Sequence, residues 1–154
     1  MNLLMYFSFI LVVSLLTGCD KKLSEEQDPL EQARLVADST LNYLENTQPD
    51  YEVDSHVLKA EYQSNELAAD NKYLNKLIVV EGFVDDIKKD MIEDGQVNVF
   101  LGADGLVPHV KCVMHFEYLP QVAKLKRLDR VKIKGICDGY QLLYPNIIKC
   151  IIIK

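Results

Sequence analysis

The chain has no tryptophan, three histidines and four cysteines in 154 residues, and its formal net charge is −6. It has no phosphate-binding glycine loop, no nucleophile elbow, no histidine pair at helical spacing and no carboxylate pair anchored to a recognisable element. His56, His109 and His115 stand singly, and a lone histidine is ordinarily a surface or capping residue. These absences remove the motif-bearing enzyme classes, and the chain reads as a non-enzyme that needs no cofactor. The basic surplus and interleaved aromatics of a nucleic-acid binder are missing as well. Only one long apolar run occurs, the 14 residues 3–16, which is short for a membrane-spanning helix of about 20 residues.

That run closes on Leu16-Thr17-Gly18-Cys19, which matches the lipobox of bacterial lipoprotein signal peptides. In such a motif the cysteine thiolate accepts a diacylglyceryl group and cleavage falls just before it. Residues 1–18 are therefore expected to be a lipoprotein signal peptide. The remaining 136 residues would begin at a lipidated Cys19, held on the inner or outer membrane of a bacterial cell envelope. Asp20 resembles an inner-membrane retention signal of enteric bacteria, whereas Ser24-Glu25-Glu26 resembles an acidic export tag, so the choice of membrane stays open. Charge is unevenly spread: residues 20–56 carry 10 acidic and three basic side chains, and residues 57–154 carry 13 and 14. The low pI thus belongs to an acidic tether, residues 19–55, which anionic headgroups would repel. The expected folded domain, residues 56–154, is nearly neutral.

Within the tether, Asp28-Pro29-Leu30-Glu31 has the form of a helix start, with Asp28 as N-cap and Pro29 in the first turn. Apolar residues from Leu30 to Leu44 at helical spacing carry that helix across residues 29–46, and residues 46–55 read as a loop. Residues 56–69 read as one further helix, capped by Asp54 or Ser55. Strands are expected at 76–87, 96–101, 109–116, 130–137 and from 146 onward, with a short helix at 118–128 before the fourth. Alternation places Val97, Val99, Val110, Cys112, Met114, Phe116, Val131, Ile133, Cys137, Ile148 and Cys150 inward. Five short strands, a helix between the third and fourth, and glycines at Gly82 and Gly135 where curvature is required describe a mainly β chain. The expected architecture is a five-stranded OB-fold barrel preceded by one or two helices.

The run from Val57 to Asp70, followed by Tyr73, Lys76 and Val80-Glu81-Gly82-Phe83-Val84, resembles the tRNA-anticodon-binding-like OB-fold family of bacterial proteins. Val110-Lys111-Cys112, Ile133-Lys134-Gly135-Ile136-Cys137-Asp138-Gly139 and Lys149-Cys150-Ile151 agree with it, while Asp129 stands where the family usually has glycine. The resemblance implies the fold and is nearly silent on activity, so function has to come from the site.

An OB barrel customarily binds on the outer face of its second and third strands. Asn98, Phe100, Lys111 and His115 project there, with Tyr140 and Tyr144 from the loop after the fourth strand. Together they offer stacking surfaces and hydrogen-bond donors suited to a sugar or a base. The competing reading packs Phe100 and Val113 under the helix at residues 30–44. A basic cluster, Lys124, Lys126, Arg127, Arg130, Lys132 and Lys134, is either a surface for anionic headgroups or a solvated strand face. Cys112, Cys137 and Cys150 fall at inward positions, and a disulfide, with Cys137 to Cys150 the favoured pair, competes with three buried free thiols. Metal binding by Cys112, His115, Cys137 and Cys150 is set aside, because residues 112 and 115 leave a regular strand on opposite faces. The expected partner is an envelope protein, with a glycan or other polymer as the alternative. Nucleic acid is disfavoured by the near-neutral domain.

Overall fold

The computed structural model describes residues 28–89, 95–102 and 109–153. The signal peptide, Cys19 and the first nine residues of the tether lie outside the described residues. The chain divides into two units, Met1–Leu35 and Val36–Lys154. In the first, Asp28 accepts a hydrogen bond from the Leu30 amide at 3.0 Å and starts helix α1, Pro29–Asn46.

The second unit is an OB barrel. After α1 come strand β1 (Tyr51–Asp54), helices α2 (Ser55–Ser64) and α3 (Glu66–Tyr73), strands β2 (Leu77–Lys89), β3 (Val97–Gly102) and β4 (Val110–Met114), helix α4 (Leu119–Val122), and strands β5 (Arg130–Gln141) and β6 (Tyr144–Ile153). The sheet runs β1-β2-β3-β4-β6-β5, and β2 pairs with β5 to close the barrel. A single strand can serve both neighbours because β2 is long and bent. Its first half pairs with β5 and its second half with β3, and the β2–β3 register shifts between Val84 and Asp86, as in a bulge. Val80, Val99, Leu101, Val110, Cys112, Ile133, Cys137, Ile147 and Cys150 fill the interior with no exposed surface.

Three local readings of the sequence are corrected. Residues 51–54, read as loop, form β1, which runs parallel to β2 with Tyr51 opposite Ile78. The single helix expected over 56–69 is two, because Asn65 adopts extended backbone (φ −161°, ψ 96°) and its side chain accepts from the Ala68 amide to cap α3. The helix expected at 118–128 shrinks to a 3₁₀ turn, Phe116–Tyr118, and the single turn of α4. The expected domain start at residue 56 also moves. β1 belongs to the sheet, and Leu44 of α1 is wholly buried with Leu77 and Ile151, so residues 36–55 are part of the same compact unit.

The faces of β6 differ from strict alternation for one reason. Lys149 has φ +54°, a left-handed conformation that inserts an extra step into the strand. Ile147 and Cys150 are both fully buried as a result, and Ile148, expected inside, turns outward.

Candidate functional site

Outward positions on neighbouring strands come together by register: Asn98 opposite Val113, Phe100 opposite Lys111, and Lys111 beside Asn146. Beyond this face, the residue after the buried Cys137 is Asp138. Its Oδ2 accepts two hydrogen bonds, from Gln141 Nε2 at 2.6 Å and from Asn146 Nδ2 at 3.1 Å. That clamp fixes the Asn146 amide, whose Oδ1 is buried without a hydrogen-bond partner although the residue is only 4% exposed. A buried carbonyl left unpaired costs about 1–3 kcal/mol, so its retention calls for a partner.

Asn146 lines an open groove of about 610 Å³. Val113 and Ile148 contribute apolar surface to it, and Gln96, Lys111, His115, Asp138, Gln141 and Lys149 supply charged and polar groups. At one edge Phe116, 57% exposed, stacks on His115 with ring centroids 4.6 Å apart. His115 begins the 3₁₀ turn and its Nδ1 accepts from the Glu117 amide at 3.4 Å, which leaves the proton of the neutral ring on Nε2. The lining therefore offers donors (Lys111, Lys149, Gln141), a carboxylate acceptor (Asp138) and an aromatic plate. Hydroxyl groups, which both donate and accept, fit such a mixture.

Of the residues singled out from sequence, Lys111 and His115 lie in this groove. Asn98 shares the face and is nearly buried, at 4% exposure. Phe100 and Tyr144 meet edge to face at 5.8 Å, with Lys88 Nζ over the first ring and Lys59 Nζ over the second, outside the groove lining. Lys88 also pairs with Asp86 at 2.7 Å, and that hydrogen bond holds the Asp86 carboxyl below its ordinary range. Tyr140 does not join them: it stacks on Tyr62 at 5.7 Å and its hydroxyl donates to the Leu143 carbonyl at 3.0 Å. Packing of Phe100 under α1 is not what holds it, because Leu41 and Leu44 meet Leu77, Ile136, Ile151 and Ile153 instead. Sequence reasoning missed Phe116, Asp138, Gln141 and Asn146. The signal for Asn146 was masked by Lys149, since uninterrupted alternation back from Cys150 turns residue 146 inward.

The basic cluster is largely neutralised. Arg127 pairs with Asp85 at 3.2 Å, Arg130 with Glu81 at 2.7 Å, and Lys132 with Glu52 at 3.4 Å and Glu81 at 3.9 Å. Lys134 is only 6% exposed. Lys124 and Lys126 remain on the surface.

The favoured Cys137–Cys150 disulfide does not form, and register explains why. Cys137 sits opposite Ile147, three residues from Cys150, and its Sγ meets the Tyr62 hydroxyl at 3.3 Å. Cys150 lies beside Cys112 and donates to the Ile147 carbonyl at 3.2 Å. All three thiols are free and buried. Burial, reinforced by Cys112, pushes the Cys150 thiol well up, and burial likewise raises Cys137. Among the described residues no group of three or more histidine, cysteine or carboxylate side chains converges as a metal site would require.

A closed five-stranded barrel with helices packed before it is an OB fold. The family model tRNA_anti-like matches residues 1–151, and the chain belongs to that family. No curated protein matches the chain. Among solved structures, a protein of Klebsiella pneumoniae described as a candidate nucleic acid-binding lipoprotein is 18% identical. Its alignment covers 67% of this chain and 91% of that one, with a TM-score of 0.54. An engineered OB domain bound to hen egg-white lysozyme is 21% identical over 62% of this chain and 90% of its own, with a TM-score of 0.41. The Stn1–Ten1 complex of Schizosaccharomyces pombe is 12% identical over 51% and 58%, with a TM-score of 0.37. These likenesses concern the fold.

Proposed function

We propose that this chain is an extracytoplasmic lipoprotein, anchored to a bacterial inner or outer membrane through Cys19, whose OB barrel is a non-catalytic binding module for an envelope glycan seated in the groove over β4 and β6. The lipobox supports the anchor, and no helix among the described residues is long and apolar enough to cross a membrane. One observation carries the ligand reading: Asn146, on the groove wall and nine-tenths buried, is held by Asp138, and its Oδ1 is unpartnered and closed to solvent. A hydroxyl donor would satisfy it once the Asn146 amide turns toward the groove, while Phe116 supplies the flat apolar surface on which a sugar ring stacks.

The test is a titration of isotopically labelled protein with soluble oligosaccharides from peptidoglycan and from lipopolysaccharide core, followed by NMR. The Asn146 side-chain amide and the Ile148 methyl signals should shift together, and Asp138→Ala should weaken binding by about tenfold through loss of the clamp. Shifts at the Phe100–Tyr144 pair alone, or none at millimolar sugar, would remove the glycan. The adaptor reading, with an envelope protein as partner, rests on the exposure of Phe116. A photo-crosslinker at that position in living cells that captures one discrete protein would establish it instead.

A further inference from the structure

The hairpin joining β5 to β6 ends in two leucines where a polar turn is the norm. Gln141 pairs with Tyr144, which leaves Leu142 and Leu143 as a two-residue connection. Leu142 is 98% exposed and Leu143 65%. Leu142 also has φ +57°, a conformation for which glycine or asparagine is favoured at that position of a tight hairpin. Two independent costs, a strained backbone and a fully hydrated apolar side chain, therefore meet at one residue.

The surroundings state what the tip fits. Tyr140 and Tyr144 flank it, and the Tyr140 hydroxyl braces it by donating to the Leu143 carbonyl. Lys59 Nζ stands 5.6 Å from the Tyr144 ring. The carboxylate on this hairpin, Asp138, stands four residues before Leu142, with one oxygen held by Gln141 and Asn146. Apolar residues at a projecting point, then tyrosines, then a cation is the order of polarity met on moving from acyl chains through the interface to anionic headgroups. We infer that the Leu142–Leu143 tip is a membrane-seating element, inserting into the surface of an anionic bilayer and fixing how the barrel faces it. This rests on the membrane-anchored reading above, and adds an orientation to it.

The absence of tryptophan gives a clean test. The full chain, extracted from membranes, is reconstituted into vesicles of phosphatidylethanolamine and phosphatidylglycerol carrying Leu142→Trp as its single indole. Leu128→Trp is the matched control: it too replaces an exposed leucine with positive φ (+72°), at the other end of β5. Leu142→Trp should shift its emission to the blue by about 10 nm or more and be quenched by brominated acyl chains, with Leu128→Trp unshifted and quenched by iodide. A chain that floats with the vesicles while the indole at position 142 stays in water overturns the tip and leaves the anchor standing. Failure to float overturns both. A blue shift without bromolipid quenching overturns the proposal in favour of a protein pocket, and quenching at position 128 alone overturns it by turning the barrel the other way up.

Discussion

Four residues show how local chemistry sets the balance between stability and use. An ideal Cβ on Gly135 would lie 2.8 Å from Ile147 Cγ2 and from the Ile148 carbonyl oxygen, and 2.9 Å from Cys150 Sγ. Two of those neighbours are interior side chains and one is strand backbone, so none can yield cheaply. Gly135→Ala should cost about 3 kcal/mol in urea unfolding; a loss below about 1 would mean that β5 and β6 separate more easily than their register suggests. Leu142 is the opposite case, a residue on which the fold itself does not depend. Leu142→Asn relieves the left-handed strain and removes an exposed apolar side chain, and should gain about 1 kcal/mol, raising Tm by roughly 2–4 °C. Such a gain at a site proposed to seat the barrel is the usual exchange of stability for function. An unchanged or lowered Tm would show that Leu142 packs within the fold. Cys137 is held as a thiol, because burial opposes its ionisation, and Cys150 follows the same rule more strongly. Neither should be alkylated by iodoacetamide in the native state, and both should react once unfolded, as peptide mass spectrometry would read directly.

At the level of elements, what could be read from sequence was whatever is decided locally. Asp28-Pro29-Leu30-Glu31 specifies the start of α1 without help from the rest of the chain, and the structure places the cap there. The interior faces of β3 and β4 follow from simple alternation. By contrast, β1 is four residues, two of them acidic and three exposed, and it is a strand only because β2 offers an edge. Asn65 looks like an ordinary polar position in a helical run, and its capping role appears only when α3 has somewhere else to go. The groove was half legible for a similar reason: Lys111 and His115 follow the alternation, whereas Ile148 and Asn146 reach the outer face through the left-handed Lys149. The tether was read as spacer, yet its helix ends in the core. Leu44→Ala should therefore cost about 2–4 kcal/mol, the range for a wholly buried leucine packed on Leu77 and Ile151. A cost within about 0.5 kcal/mol would return that part of α1 to the tether.

For the molecule as a whole, the distribution of charge discriminates among ligands that the fold alone admits. OB barrels bind single-stranded nucleic acid by lining a groove with cations and stacking bases on aromatic rings. Here residues 57–154 carry 14 basic and 13 acidic side chains, and the basic cluster on β5 and the segment before it is met by Glu52, Glu81 and Asp85. The groove holds Asp138 together with Lys111 and Lys149, so its lining has no single sign of charge. Phosphate binding releases counterions in proportion to the phosphates neutralised, and affinity then falls steeply with salt. With its cations balanced by nearly as many carboxylates, this barrel should bind a single-stranded RNA oligomer no more tightly than about 10⁻⁴ M at physiological salt, and with a shallow dependence on salt concentration. Fluorescence anisotropy across a salt series measures both quantities at once. Micromolar affinity that collapses as salt rises would show that the ion pairs of β5 open to receive phosphate, and would return nucleic acid to first place. A neutral oligosaccharide of N-acetylglucosamine should bind almost independently of salt, because hydrogen bonds to Asp138 and Asn146 and stacking on Phe116 release no counterions. The same salt series run with both ligands therefore separates the two readings by slope, even where their affinities coincide.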